Sequence, residues 1–214
     1  GPQNTAIGSY NSDALTTGGY NTSVGRSTLG ALTAGSHNIA LGRATLTTAA
    51  DDESDNIAIG NSALGSAKQD GTASSTNREV KRNIAIGTDA LAGGTLTGTN
   101  HLESNIAIGY AALDATGANN QIGTIAIGDH SLSALTSGEK NVAIGYEAML
   151  YMTDGDNNTV VGHTAFRTAD NGESDNVVIG RAAGYSINHA SSDNNVIIGS
   201  AAGTGGAAAF QSNI

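Results

Sequence analysis

The residues with the most evident chemical potential lie in three acidic turns, "TDGDNN", "ADNGESDN" and "SSDNN", which carry Asp154, Asp156, Asp170, Glu173, Asp175 and Asp193. Carboxylates gathered along one edge repel each other unless solvent screens them or a divalent cation with a taste for oxygen ligands bridges them. The chemistry in question is therefore a surface Ca²⁺ site, set against the plainer reading of a solvated acidic edge. A second set is basic and sits in two irregular stretches. "KQDGTASSTNREVKR" (Lys68 to Arg82) supplies Arg78, Lys81 and Arg82, and "GGTLTGTNHLES" (Gly93 to Ser104) supplies His101. Loops on a rigid scaffold are where recognition resides, so these are contact candidates. Tyr110 and Tyr146 join them, because each follows a glycine of the same kind and offers a ring that can stack on a sugar. Two repeats apart, they are not expected to form one site.

Catalysis lacks a comparable case. The histidines His37, His101, His130, His163 and His189 occupy different positions relative to the surrounding pattern, and there is no cysteine to pair with them. No nucleophile elbow, phosphate-cradling loop or zinc-protease helix motif is present. The chain reads as a non-enzyme.

Composition narrows the partners. Nine Lys plus Arg against 19 Asp plus Glu give a net charge of -10, the wrong sign for a phosphate backbone, so no nucleic acid is expected. No apolar run is long enough to span a bilayer, so no membrane insertion is expected either. Gly1-Pro2 has the form of a scar left by a cleaved expression tag (residues 1-2).

What positions all these residues is a repeat. Aligned on its closing glycine, a five-residue motif of the type N-I-A-I-G ends at Gly8, Gly25, Gly42, Gly60, Gly87, Gly109, Gly128, Gly145, Gly162, Gly180 and Gly199. Spacings are 17 to 19 residues apart from the two stretched by the irregular segments, 27 before Gly87 and 22 before Gly109. A fixed period of this kind marks a solenoid, and its length suits one coil of a parallel β-solenoid. Within each coil a second leg follows, with apolar pairs such as Leu29 and Leu32, Leu132 and Leu135, or Met149 and Met152. Its spacing of three leaves open whether that leg is extended or a short helical turn.

Strand alternation separates two series. Ile7, Val24, Leu41, Ile59, Ile86, Ile108, Ile127, Ile144, Val161, Ile179 and Ile198 precede the glycine and read as the coil interior, together with residues such as Ile57 two positions earlier. The opposite series is Ala6, Ser23, Ala40, Ala58, Ala85, Ala107, Ala126, Ala143, Val160, Val178 and Ile197. An outward face so free of charge calls for a cover, and a second and third copy of the chain are the simplest one. That makes Ala6, Ala40, Ala58, Ala85, Ala107, Ala126, Ala143, Val160, Val178 and Ile197 the expected subunit contact. The first motif residue is Asn in ten of the eleven repeats, with Thr124 the exception, and should stack into an amide ladder. The repetitive domain is expected to span 3-203, with the glycine-rich 204-214 as a cap or linker.

The motif N-[ITV]-A-[IV]-G resembles the YadA-like head repeat of trimeric autotransporter adhesins. The longer unit "NTSVGRSTLGALTAGSHNIALG" looks more like the repeat arrays of phage and virus tail-fibre proteins. The resemblance implies an all-β, left-handed parallel β-roll of about eleven coils assembled as a parallel homotrimer. It also implies a role in attachment to a glycan or protein on a host surface, from a virion or, in the adhesin alternative, from a bacterial outer surface. Arg78, Lys81, Arg82, His101, Tyr110 and Tyr146 are then the receptor-contact candidates. A polysaccharide-degrading tailspike is the alternative of a different class and would need a carboxylate-lined groove.

Overall fold

The computed structural model describes residues 1–47, 53–65, 68–69, 80–96, 100–117, 119–170, 172–189 and 191–204. Arg78, most of the first irregular segment and the tail beyond 204 lie outside the described residues. Among the described residues there is no α-helix, and hence none long and apolar enough to cross a membrane. Parallel strands build a β-solenoid. Its main sheet has eleven three-residue strands, from Thr5–Ile7 and Thr22–Val24 through Ile84–Ile86 and Ile106–Ile108 to Val177–Ile179 and Val196–Ile198. Successive repeats pair in register, so that Ala85 lies beside Ala107 and Ala107 beside Ala126. At the strand spacing of about 4.8 Å the sheet is roughly 50 Å long. Short parallel pairs thicken the coils around the irregular segments. Val80–Lys81, Leu102–Glu103 and Gln121–Ile122 form one three-stranded sheet, and Lys68–Gln69 pairs with Thr95–Leu96.

The two faces of the main sheet are the reverse of the sequence expectation. Ala40, Ala58, Ala85, Ala107, Ala126, Ala143, Val160 and Val178 are fully buried within the coil and Ile197 nearly so, while Ala6, in the first strand, is exposed. These residues, expected at a subunit contact, are the core. The aliphatic series faces out: Ile144 is 37% exposed and Ile198 64%, and Ile57, Ile59, Ile86 and Ile108 are half-buried. The cause is volume. The second leg sends Leu46, Leu64, Leu91, Leu113 and Leu132, all fully buried, across a narrow coil, and opposite them the strand has room only for a methyl group. In the last two coils the strand residue is large and the second leg has glycine, whereas Val160 shares its coil with the fully buried Phe166, whose ring would lie 3.0 Å from a Cβ on Gly184 of the next coil. A Cβ on Gly184 would come within 3.3 Å of Val178, and one on Gly203 within 3.0 Å of Ile197.

The second leg is neither strand nor helix. It is a turn in which residues two and four places after the corner glycine adopt left-handed backbone, as in Ser27 (φ 56°) and Leu29 (φ 52°), or His130 (φ 54°) and Leu132 (φ 52°). For an L-residue this conformation costs about 1–2 kcal/mol. Here it alternates the direction of the amides: Ser27 donates back to Ser9 O at 3.0 Å, and Leu29 donates forward to Thr45 O at 3.1 Å. Each coil is thereby tied to both neighbours, which offsets the local cost.

The Asn ladder is present. Asn38 donates its backbone N–H (2.9 Å) and its Nδ2 (3.0 Å) to Asn21 Oδ1, and Nδ2 also donates to Glu53 O at 2.8 Å. The pattern recurs from Asn56 to Asn195, with every member buried. It breaks at Thr124, whose Oγ1 is buried without a partner and which supplies no acceptor for Asn141. One function of the missing amide is taken over by Gln121. With its amide nitrogen turned toward the next coil, Gln121 donates to Gly138 O at 3.0 Å, the carbonyl an Asn at 124 would reach. Gln121→Ala should therefore destabilise by about 1–3 kcal/mol. In a Thr124→Asn background, itself stabilised by about 1 kcal/mol, most of that cost should vanish. Denaturant melts of the four proteins in this cycle check the compensation; strictly additive effects would contradict it.

Candidate functional site

The acidic candidates do not converge. Glu173 is fully buried and accepts the His189 amide at 2.9 Å. Asp156 accepts the Glu139 amide at 2.7 Å, and Asp193 accepts the Ser174 amide at 2.8 Å. Ser174 Oγ fills the same role for the Asp156 amide at 3.0 Å, so this column serves to satisfy corner amides of the preceding coil. Asp154 and Asp175 are exposed, and Asp170 is bonded through its backbone carbonyl to Thr153. Among the described residues no three His, Asp or Glu side chains come together to hold a metal ion, which corrects the Ca²⁺ expectation for these six residues. The physical reason is that a carboxylate beside an unpaired corner amide gains a charge-assisted hydrogen bond there: Asp156 and Asp193 turn back to the preceding coil and Glu173 forward to His189, so they do not face one another. Beside this column runs an open polar groove of about 680 Å³, lined by residues including Asn119, Asn120, Glu139, Lys140, Asp154 and Asp156.

The basic candidates lie near the same corner. Arg82 is ion-paired with Glu103 of the next coil, Lys81 lies in the short three-stranded sheet, and His101 is half-buried with its amide donated to Asn120 Oδ1 at 2.8 Å. Tyr110 and Tyr146 lie at the other end of the strands, past the corner glycines. The candidates thus divide between two edges of the rod.

At that second edge the sequence reading missed a network. Tyr110 meets the ring of His130 edge-on at 5.1 Å between centroids, and Tyr146 stacks on His163 at 5.1 Å with planes 21° apart. His130 Nδ1 lies 2.8 Å from Asp129 of its own coil. Glu147 hydrogen-bonds the Tyr146 hydroxyl and holds its pKa above the usual phenol value, while Arg167 Nε donates to Glu147 Oε2 at 2.6 Å. The Arg167 guanidinium lies over Tyr151 (4.9 Å) and near Tyr185 (5.8 Å), and it donates to both hydroxyls. Tyr110 with His130, and Tyr146 with His163, Glu147 and Arg167, thus line the same edge of the rod two coils apart. Registering each residue on its own corner glycine was the signal available: it places His163 beside Tyr146, and Asp129 beside Tyr110 with His130 one position further on.

The patch has an acid limit. The hydrogen bond from Arg167 holds the Glu147 carboxyl below its ordinary 4.5, burial opposing and Tyr146 assisting. A depressed carboxylate contributes stability above its unfolded value and loses it as pH falls through the folded one. Glu147→Gln should therefore cost about 1 kcal/mol at neutral pH and nothing at pH well below 4.5, where the two proteins' melting temperatures should converge. A cost independent of pH would contradict this. Asp114, lower on the same leg, is pushed up by burial and so acts in the opposite sense.

Comparison with known protein families, with curated proteins and with solved structures finds no match for this chain.

Proposed function

We propose that this chain is the shaft or receptor-binding portion of a trimeric attachment rod of the tail-fibre kind. Three parallel copies of a left-handed β-roll of about eleven coils pack their main sheets around a common axis. The observation that carries this reading is the outward sheet face. The first and third strand positions form two rows of Ile, Val, Leu and Thr, from Thr5 and Ile7 to Val196 and Ile198, with no charged or amide side chain among them. A continuous apolar strip of this length is a self-association surface, since soluble chains do not leave such patches in water. Two rows also suit three copies: each chain meets one neighbour with its first row and the other with its third. The need for a covered face survives the reversal of the two faces, and it applies with greater force to isoleucine than to alanine.

A stiff rod that presents every surface feature three times converts weak single contacts into avid binding. The lateral edges, away from the axis, hold the recognition candidates. Attachment is tested by adsorption of the labelled protein to a panel of intact bacterial cells. Saturable binding, displaced by unlabelled protein, is expected on at least one. Its absence across the panel would leave an architectural rod with no attachment role.

A further inference from the structure

We infer that the edge carrying Tyr110, His130, Tyr146 and His163 is a carbohydrate-binding strip for a linear, uncharged glycan, whose successive sugar rings stack along it while Asp129 and Glu147 accept hydroxyl hydrogen bonds. The inference rests on the attachment reading and names its ligand class and location. Several observations converge on it. The chain has six tyrosines, and four of them, Tyr110, Tyr146, Tyr151 and Tyr185, gather in this one patch. Tyr110, Tyr146 and Tyr151 keep between 45 and 50% of their surface in solvent, so part of each ring is open to a ligand although His163 stacks on Tyr146 and Arg167 lies over Tyr151. The rings are also held in place. Tyr110 and Tyr146 each have a histidine of the next coil against them, and the Glu147–Arg167 pair, about one-fifth exposed on both sides, fixes Tyr146, Tyr151 and Tyr185. Preorganised aromatic surface loses little side-chain entropy on binding.

The coil does not require these rings. The same position after the corner glycine is Arg26, Arg43, Asn61 and Thr88 in earlier repeats and Arg181 and Ser200 in later ones, and the corner closes alike in all of them. The class of ligand follows from what surrounds the rings. Ring faces, two carboxylates, imidazoles and one guanidinium already neutralised by Glu147 suit a surface with apolar faces and hydroxyl rims, which is a sugar. A chain of net charge -10 disfavours a polyanionic glycan. Coils stack along the rod, so the platforms lie in a line parallel to its axis, and a linear oligomer engages several at once where a monosaccharide reaches one.

The test uses the whole chain and its lack of tryptophan. Tyr146→Trp keeps an aromatic platform and introduces a single indole, whose emission is followed during titration with cellohexaose, maltohexaose and chitohexaose, and with glucose as the short control. A saturable change with at least one hexasaccharide is expected, weakened about tenfold or more by Tyr110→Ala and unchanged by Tyr20→Ala, which disrupts the Tyr20–His37 stack on the opposite edge. No saturable change with any hexasaccharide at millimolar concentration, or binding indifferent to Tyr110→Ala, overturns the strip. A second measurement separates this from the attachment reading. Tyr110→Ala with Tyr146→Ala should abolish cell adsorption, and so should periodate treatment of the cells. Adsorption that persists in the double variant, or that is lost on protease treatment but not on periodate treatment, overturns the glycan strip and leaves attachment standing.

Discussion

Replacing Ile108 by glutamate is expected to dissociate the proposed trimer into folded single chains. Ile108 faces outward in the third strand position, half-buried in the isolated chain, with Ile86 and Ile127 beside it in the neighbouring strands. In a three-fold packing the substitution would put three carboxylates close to one axis and away from water, and each unpaired buried charge costs several kcal/mol. The coil itself should survive, because the side chain contributes nothing to the interior. Ala107, next in sequence, gives the contrasting result. It is fully buried in the coil, so Ala107→Glu should abolish folding rather than assembly. Light scattering and circular dichroism on the pair distinguish the two faces. Were Ala107→Glu to remain folded and merely dissociate, the assignment of inside and outside would be wrong.

The sidedness of the sheet is also where the sequence was hardest to read. Period, corner glycines, Asn column and second-leg apolar pairs were all legible, because each recurs with little variation. Which strand face is interior was not, because hydrophobicity alone ranks Ile above Ala, and the ranking fails in a coil too narrow for both strand and second leg to be large. Two quieter signals pointed the right way. The face that holds the aliphatics also accepts Thr5, Thr22 and Thr159, whereas the alanine column admits a polar residue only at Ser23. Val178 and Ile197 enlarge the alanine column in the coils where the second leg has Gly184 and Gly203 in place of leucine, and a Cβ at either glycine would press on that strand residue; the space at Gly184 also takes the ring of Phe166 from the preceding coil, where Val160 stands in the column. At the site, Tyr110 and Tyr146 were recognisable as exposed rings. Arg167 was not, since its role depends on a left-handed turn that brings it over Tyr151 and against Glu147.

The second large effect is expected at the corner glycines. Gly87 has φ +135°, a region essentially closed to L-residues, and a Cβ there would collide with the carbonyl of Gly109 in the next coil. Neither partner can yield, because both are backbone within the coil stack. Gly87→Ala should therefore cost more than about 3 kcal/mol. For a chain of this size that is a fall in melting temperature of at least about 6–12 °C. Gly199→Ala separates the two causes. Its φ is +130°, but the added Cβ would meet only Ala202 Cβ at 3.6 Å, since no further coil follows among the described residues. It should show the backbone cost alone and be the milder of the two. Equal losses at both positions would mean that coil stacking at the corner adds nothing.

The most direct test of the assembled rod is the mass of the unmodified chain in dilute solution, measured by multi-angle light scattering. The expected result is a single species of three times 21.2 kDa that persists on dilution and at high salt, as an apolar interface requires. A stable, monodisperse species of 21.2 kDa, with the two aliphatic rows left in water, would contradict it.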